Sequence, residues 1–230
     1  MEMEDMVDLI IDNIEGGYYH PDMKDKLKGG EAMGISGETM FGLDRKNGAG
    51  SAVTDSTAGR NFWKLIDTYY GNHHGDTSYY GDKADGKRGI SAAVGAQLRQ
   101  YTREIIKAMY NDYAGRYLSD GAKAVIMSNP QLQLQFLYAV WNGPGHFQTF
   151  ANLVNAAYSN GTRAAAALYN IVADARRKKG GLFAIGADKL DAICKKYLGG
   201  VPGEEGGFGV AGWLLGGLAA FLIIKALSKK

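Results

Sequence analysis

Apolar positions recur at helical spacing near the start of this chain and again through its second half, with an irregular polar stretch between. Met6, Leu9, Ile10 and Ile14 repeat at three- and four-residue intervals, which predicts a first helix over residues 4–15, stopped by Gly16-Gly17. Residues 16–60 are rich in Gly, Asp, Lys and Ser, and only 32–35 and 38–43 read as short strands. From Ser91 onward the pattern is helical. Val94, Leu98, Tyr101, Ile105 and Met109 share one face of a long helix, and shorter helices are expected near 120–128, 131–141, 146–159, 162–178 and 187–198. An irregular lobe followed by a helical one predicts an α+β, mainly α fold. No internal repeat is visible.

The pattern changes at the far end. Residues 206–224 carry no charge and are dominated by Val210, Trp213, Leu214, Leu215, Leu218, Phe221, Leu222, Ile223 and Ile224. About 20 apolar residues in a helix span a bilayer core, so 208–227 is expected to be a transmembrane anchor. Lys225, Lys229 and Lys230 are placed to reach lipid headgroups. Gly212, Gly216 and Ala220 lie four apart on one helical face, which would let a second copy of the helix approach closely. The Gly- and Pro-rich run 199–207 reads as a linker, leaving residues 1–198 as one soluble domain.

Composition narrows the function classes. The 230 residues carry 26 basic and 24 acidic side chains, a net charge of +2, with the signs interspersed. That is not the concentrated basic face of a nucleic-acid binder, and no nucleic-acid partner is expected. Cys194 is the single cysteine, which excludes an intramolecular disulfide and reads as an ordinary helix residue. The acidic start Met1-Glu2-Met3-Glu4-Asp5 lacks the basic and apolar regions of a cleaved signal peptide, so export by that route is not expected. The Gly-containing runs lack the Gly-Lys-Ser/Thr ending of a phosphate loop.

Glu15 is the residue that physical chemistry singles out. At the end of a helix its carboxylate faces the negative pole of the macrodipole, and Ile14, Tyr18 and Tyr19 offer apolar surroundings. Both effects favour a protonated carboxyl, the group that glycosidic cleavage needs to protonate a leaving oxygen. The string Ile14-Glu15-Gly16-Gly17-Tyr18-Tyr19, followed by Gly37-Glu38-Thr39-Met40-Phe41-Gly42-Leu43-Asp44, resembles the phage and bacterial endolysins of the N-acetylmuramidase family with a Glu-Gly-Gly-Tyr motif. The run Ala139-Val140-Trp141-Asn142-Gly143-Pro144-Gly145 is similar to that family's aromatic/Asn-Gly segment lining the cleft.

The resemblance implies a lysozyme-like domain with a small β lobe and a helical lobe, in which Glu15 is the catalytic acid. It implies cleavage of the β-1,4 bond between N-acetylmuramic acid and N-acetylglucosamine in peptidoglycan, without a cofactor. Thr39 would orient the attacking water, and Asp22 or Glu38 would serve as base. Tyr18, Tyr19 and Trp141 would stack on sugar rings, and Asn142 would hydrogen-bond an N-acetyl group. Asp44-Arg45 reads as an ion pair steadying the lobe. His73 and His74 are adjacent, and in a strand they would face opposite ways; with only His20 and His146 elsewhere, no metal site is expected.

Two other functions remain open on the same residues. One is a lytic transglycosylase, in which the sugar's own 6-hydroxyl attacks and no second carboxylate is needed. The other is a non-catalytic, membrane-anchored virion component. The anchor and the resemblance together place the protein in a membrane-containing phage particle or at the host cell envelope.

Overall fold

The computed structural model describes residues 1–27 and 37–203. The expected strand at 32–35, the transmembrane segment 208–227 and the linker beyond Gly203 lie outside the described residues. Among the described residues no helix is long and apolar enough to cross a membrane. The fold is mainly helical with one small sheet, as the pattern predicted. The described chain divides into two compact units: Met1–Tyr117 with Leu137–Gln148, and Leu118–Phe136 with residues 149–203.

The first unit is built on three helices: α1 (Met3–Asn13), α3 (Thr57–Tyr70) and α4 (Ala92–Tyr117), with the short α2 (Ala52–Asp55) before α3. Met6, Val7, Ile10 and Ile11 of α1 are buried, as are Val94, Leu98, Ile105, Ile106 and Met109 of α4. Each such side chain removed from water contributes about 1.5–3 kcal/mol. Along the rim of this contact Glu4 pairs with Lys107 at 2.7 Å, Asp8 with Arg103 at 2.5 Å and Asp12 with Arg99 at 2.6 Å. Exposed pairs of this kind contribute little energy but fix the register of two helices. Lys107 holds the Glu4 carboxyl below its ordinary range.

Helix α3 is the largest element the sequence pattern passed over. Phe62, Trp63, Ile66 and Tyr70 are buried at helical spacing, and Ser56 Oγ caps the start by accepting from Gly59 N at 2.9 Å. The indole N–H of Trp63 donates to Val53 O at 2.9 Å, which seats α3 on α2. The stretch 38–43, expected as one strand, is instead a hairpin of β1 (Thr39–Met40) and β2 (Leu43–Asp44), with Thr39 opposite Asp44 and Met40 opposite Leu43.

Helices α5 (Asp120–Met127), α6 (Pro130–Trp141), α7 (Pro144–Ser159), α8 (Ala165–Lys179) and α9 (Gly181–Tyr197) complete the described chain. Residues 131–140 of α6 are buried without interruption, Gln131, Gln133 and Gln135 included. In the second unit α8 packs on α9 through Leu168, Tyr169, Val172 and Ala173 against Ala187, Leu190, Ile193 and Cys194. Arg176 is fully buried here. Its Nε donates to Gln135 Oε1 at 2.9 Å, its Nη2 to Gln135 O at 2.8 Å, and its guanidinium lies over the Phe150 ring at 4.4 Å. The first residues of the expected linker hold no helix or strand, yet Val201 is buried and Gly200 N donates to Cys194 O at 3.0 Å.

Cys194 is buried beside the Tyr169 hydroxyl, 3.7 Å away, and burial pushes its thiol up to about 12. Both exposure and thiolate formation are therefore withheld in the folded chain. Iodoacetamide at pH 8 should label Cys194 on the order of a hundredfold more slowly in the folded protein than in urea, because labelling waits for α9 to open. Equal rates would show that the α8–α9 contact does not cover the thiol.

Candidate active site

Glu15 lies just past the last turn of α1. Its N–H and that of Ile14 both donate to Ile10 O, at 3.0 and 2.8 Å, so the residue is fixed to the carboxyl end of the helix as the sequence predicted. Gly16-Gly17 then turn the chain, and Gly17 is required by contact: a Cβ there would collide with the backbone of Gly81 and Asp82. That close approach lets Tyr18 N donate to Asp82 O at 2.7 Å and Gly81 N donate to Tyr18 O at 2.8 Å. One residue on, Tyr19 and Thr39 exchange two backbone bonds of 2.9 and 2.8 Å. The segment after Glu15 is thus stitched between the 81–82 loop and the hairpin.

The tip of that hairpin meets the carboxyl. Phe41 and Gly42 both have left-handed backbone, with φ of 52° and 73°, the conformation of a two-residue hairpin turn that twists with its strands. A phenylalanine held there is strained by about 1–3 kcal/mol. Two features offset this: the ring is fully buried, and Trp141 Nε1 donates to Phe41 O at 2.8 Å. Gly42 presents a bare Cα to Glu15. An added Cβ would overlap the Glu15 carboxyl and lie 2.8 Å from Trp141 Cδ1. Glu15, Gly42 and Trp141 therefore converge on one point, with Glu15 and Trp141 both half-buried.

Comparisons with protein-family models, with curated proteins and with solved structures find no match to this chain.

The other expected site residues have distinct placements. Thr39 is buried in β1, and its hydroxyl donates to Gly37 O at 3.1 Å, which leaves the oxygen as an acceptor. Glu38 is buried, with Oε1 accepting from the Tyr18 hydroxyl at 3.1 Å and Oε2 from Arg45 Nη1 at 2.9 Å. Arg45 also forms a two-bond pair with Asp67, at 2.6 and 3.1 Å. These partners raise the Arg45 guanidinium pKa further, the Asp67 hydrogen bond most of all. The expected Asp44–Arg45 pair does not form: Asp44 Oδ1 instead accepts from the N–H groups of Lys46 and Asn47, both at 2.9 Å, as a turn aspartate does.

Tyr18 and Tyr19, expected to stack on sugars, are core residues with 0% and 2% exposure. Tyr18 stacks on Tyr70 at 4.2 Å, and the Tyr70 hydroxyl donates to buried Asp82 at 2.7 Å. Burial, reinforced by Glu38 for Tyr18 and Asp82 for Tyr70, pushes both phenols up, so they stay protonated donors. Of the expected aromatic platforms only Trp141 keeps a partly open face. Asn142 donates one of its two amide N–H groups to Tyr138 O at 2.8 Å.

His73 and His74 lie in an irregular stretch with 3-10 turns at 71–73 and 77–79 rather than in a strand. His73 stacks on Tyr79, and His74 stacks on His20 with ring centroids 3.9 Å apart. Burial, then the neighbouring His74, lowers the His20 pKa. Asp22 is exposed, 3.4 Å from His20 Nδ1. Arg45 was expected as a support, with Asp44 as its partner; its actual partners Glu38 and Asp67, and the Tyr70–Asp82 pair, have no local signal in the sequence. The buried polar character of Glu38 and Asp82 emerges only when α3 is in place.

A separate cavity of 240 Å³ is lined by Arg45, Thr54, Arg60, Trp63, Lys64 and Asp67. Three cations against one carboxylate give it a positive character.

Gly42→Ala tests the turn. It is expected to destabilise the protein by about 1–3 kcal/mol in urea unfolding, from backbone strain and displacement of Glu15. Gly16→Ala, where an added Cβ meets nothing within 4 Å, should stay within about 0.5 kcal/mol of the parent. Equal effects at the two positions would show that the contact at Gly42 does not constrain the chain.

Proposed function

We propose that this chain cleaves the β-1,4 glycosidic bonds of peptidoglycan between N-acetylmuramic acid and N-acetylglucosamine, on a lysozyme-like unit with Glu15 as the proton donor. The observation that carries the reading is the convergence of the Glu15 carboxyl, the bare Cα of Gly42 and the half-open indole of Trp141. A saccharide needs those three things together: an acid, backbone it can approach closely, and an aromatic face. The resemblance of residues 14–19, 37–44 and 139–145 to Glu-Gly-Gly-Tyr endolysins points the same way.

In this mechanism Glu15 gives its proton to the bridging oxygen as the bond from the anomeric carbon breaks. A water oriented by the Thr39 oxygen adds to that carbon and releases its extra proton to solvent, and Glu15 is reprotonated. The Asn142 side-chain amide hydrogen-bonds an N-acetyl group. The basic cavity at Arg45, Arg60 and Lys64 suits a carboxylate such as the lactyl or peptide arm of muramic acid. The hydropathy of residues 208–227 supports action from a membrane, in a phage particle or at the host envelope.

One observation favours a second reading on the same residues. Both oxygens of Glu38 are engaged, by Tyr18 and Arg45, and Asp22 is exposed beside His20. A lytic transglycosylase needs no second carboxylate, because the 6-hydroxyl of the muramic acid replaces water as nucleophile.

Digestion of purified peptidoglycan by wild type and Glu15→Gln, with products read by mass spectrometry, tests both. Wild type should release glycan fragments, and the substitution should slow release by about 10²–10⁴-fold, the usual contribution of a general acid. Reducing ends in the products identify hydrolysis, and 1,6-anhydro ends identify the transglycosylase. Release that survives Glu15→Gln unchanged removes Glu15 from the reaction, and no release by wild type removes the enzymatic reading.

A further inference from the structure

The side chains of His20, Asp22 and His74 come together although His74 lies more than fifty positions from the other two. One ligand atom from each lies within 4.8 Å of the others. His20 Nδ1 is 3.4 Å from Asp22 Oδ2 and accepts from Asp22 N at 3.2 Å, so its one lone pair points toward the Asp22 segment, and an ion bound there exchanges that N–H bond for ligation. In a tetrahedral site with bonds of about 2.0–2.1 Å, neighbouring ligand atoms are about 3.3 Å apart. The His20–Asp22 separation already has that length.

His74 faces His20 from the 71–76 stretch, ring on ring, with 4° between planes. Its Nε2 is buried, has no hydrogen-bond partner among the described residues, and lies 3.8 Å from Glu38 Oε1. A buried imidazole nitrogen without a partner is costly, and an ion or a carboxylate drawn to it would relieve that cost. The backbone around the cluster is held from both sides. Pro21–Lys26 forms a 3-10 helix directly after His20, and Lys26 Nζ donates to Gly75 O at 2.7 Å, joining this segment to the His74 loop.

We propose that His20, Asp22 and His74 form a binding site for a divalent transition metal ion, with zinc the best fit. Two imidazoles and one carboxylate are a borderline-soft N₂O donor set, which suits zinc and disfavours calcium or magnesium. Three protein ligands leave a fourth position for solvent, and Asp22, with its side chain 65% exposed, opens the site to water. Parallel rings aim their lone pairs side by side rather than at one point. Loading therefore tilts the two imidazoles apart and breaks their stack. The ion then clips the Pro21–Lys26 segment to the His74 loop, in addition to the Lys26–Gly75 bond. This site is independent of the proton-donor role of Glu15.

Equilibrium dialysis of the untagged full chain against zinc chloride, with cobalt(II) as a spectroscopic substitute, tests the proposal. About one zinc per chain is expected, and the cobalt form should show the intense visible absorption of a four-coordinate ion. His20→Ala and His74→Ala should each weaken zinc binding by at least about tenfold with unchanged circular dichroism. His73→Ala, which alters the adjacent imidazole stacked on Tyr79, should bind zinc like the parent. No stoichiometric zinc, or equal losses at His73 and His74, would overturn the site. If an alanine variant fails to fold, His74→Gln replaces it and carries the same expectation.

Discussion

The first unit depends on a backbone turn that is unfavourable by itself. Phe41 and Gly42 adopt left-handed conformations at the tip of a hairpin only two residue pairs long, too short to hold its own shape. What holds it is tertiary: the Phe41 ring is buried, its carbonyl is bonded by Trp141, and Arg99 lies over the ring at 5.3 Å. Because Gly42 has no side chain, the carboxyl of Glu15 occupies the space beside it. Strain at the turn and placement of the Glu15 carboxyl are thus one structural fact.

Behind the turn lies a polar support whose inner members, Tyr18, Glu38, Tyr70 and Asp82, are buried, and whose outer pair, Arg45 and Asp67, faces solvent. Tyr18 and Arg45 hold Glu38, Asp67 holds Arg45, and Tyr70 holds Asp82 under the Tyr18 ring. Such a network fixes geometry more than it adds stability, since each group exchanged bonds to water for bonds to protein. It also separates two kinds of carboxylate. Glu38 is bound on both oxygens by Tyr18 and Arg45, and Glu15 lies at a helix end beside the Trp141 ring edge and the Gly42 backbone.

The parts legible in the sequence were those written in local periodicity or local chemistry. The face of α4, the end of α1 at Glu15 and the five later helices could all be marked out from spacing and from glycine stops. Helix α3 was not, because its polar surface and flanking Gly-rich segments diluted a pattern carried by Phe62, Trp63, Ile66 and Tyr70. The tyrosine pair shows a different limit. Tyr18-Tyr19 next to an acid reads as a sugar platform, but the Gly17 contact with the 81–82 backbone draws both rings inward, and no local signal reports that. The histidines show the same limit: a strand would part His73 from His74, and the observed turns instead bring His74 onto His20.

The role proposed for Glu15 is that of acid on a glycan laid across Gly42 and Trp141. The most direct measurement is a crystal structure of the Glu15→Gln variant with a bound peptidoglycan oligosaccharide. A glycosidic oxygen is expected within about 3 Å of the side-chain amide at position 15, with one sugar ring against the indole of Trp141. A saccharide bound elsewhere on the protein, or one crossing Gly42 with its glycosidic oxygens beyond reach of position 15, would contradict it.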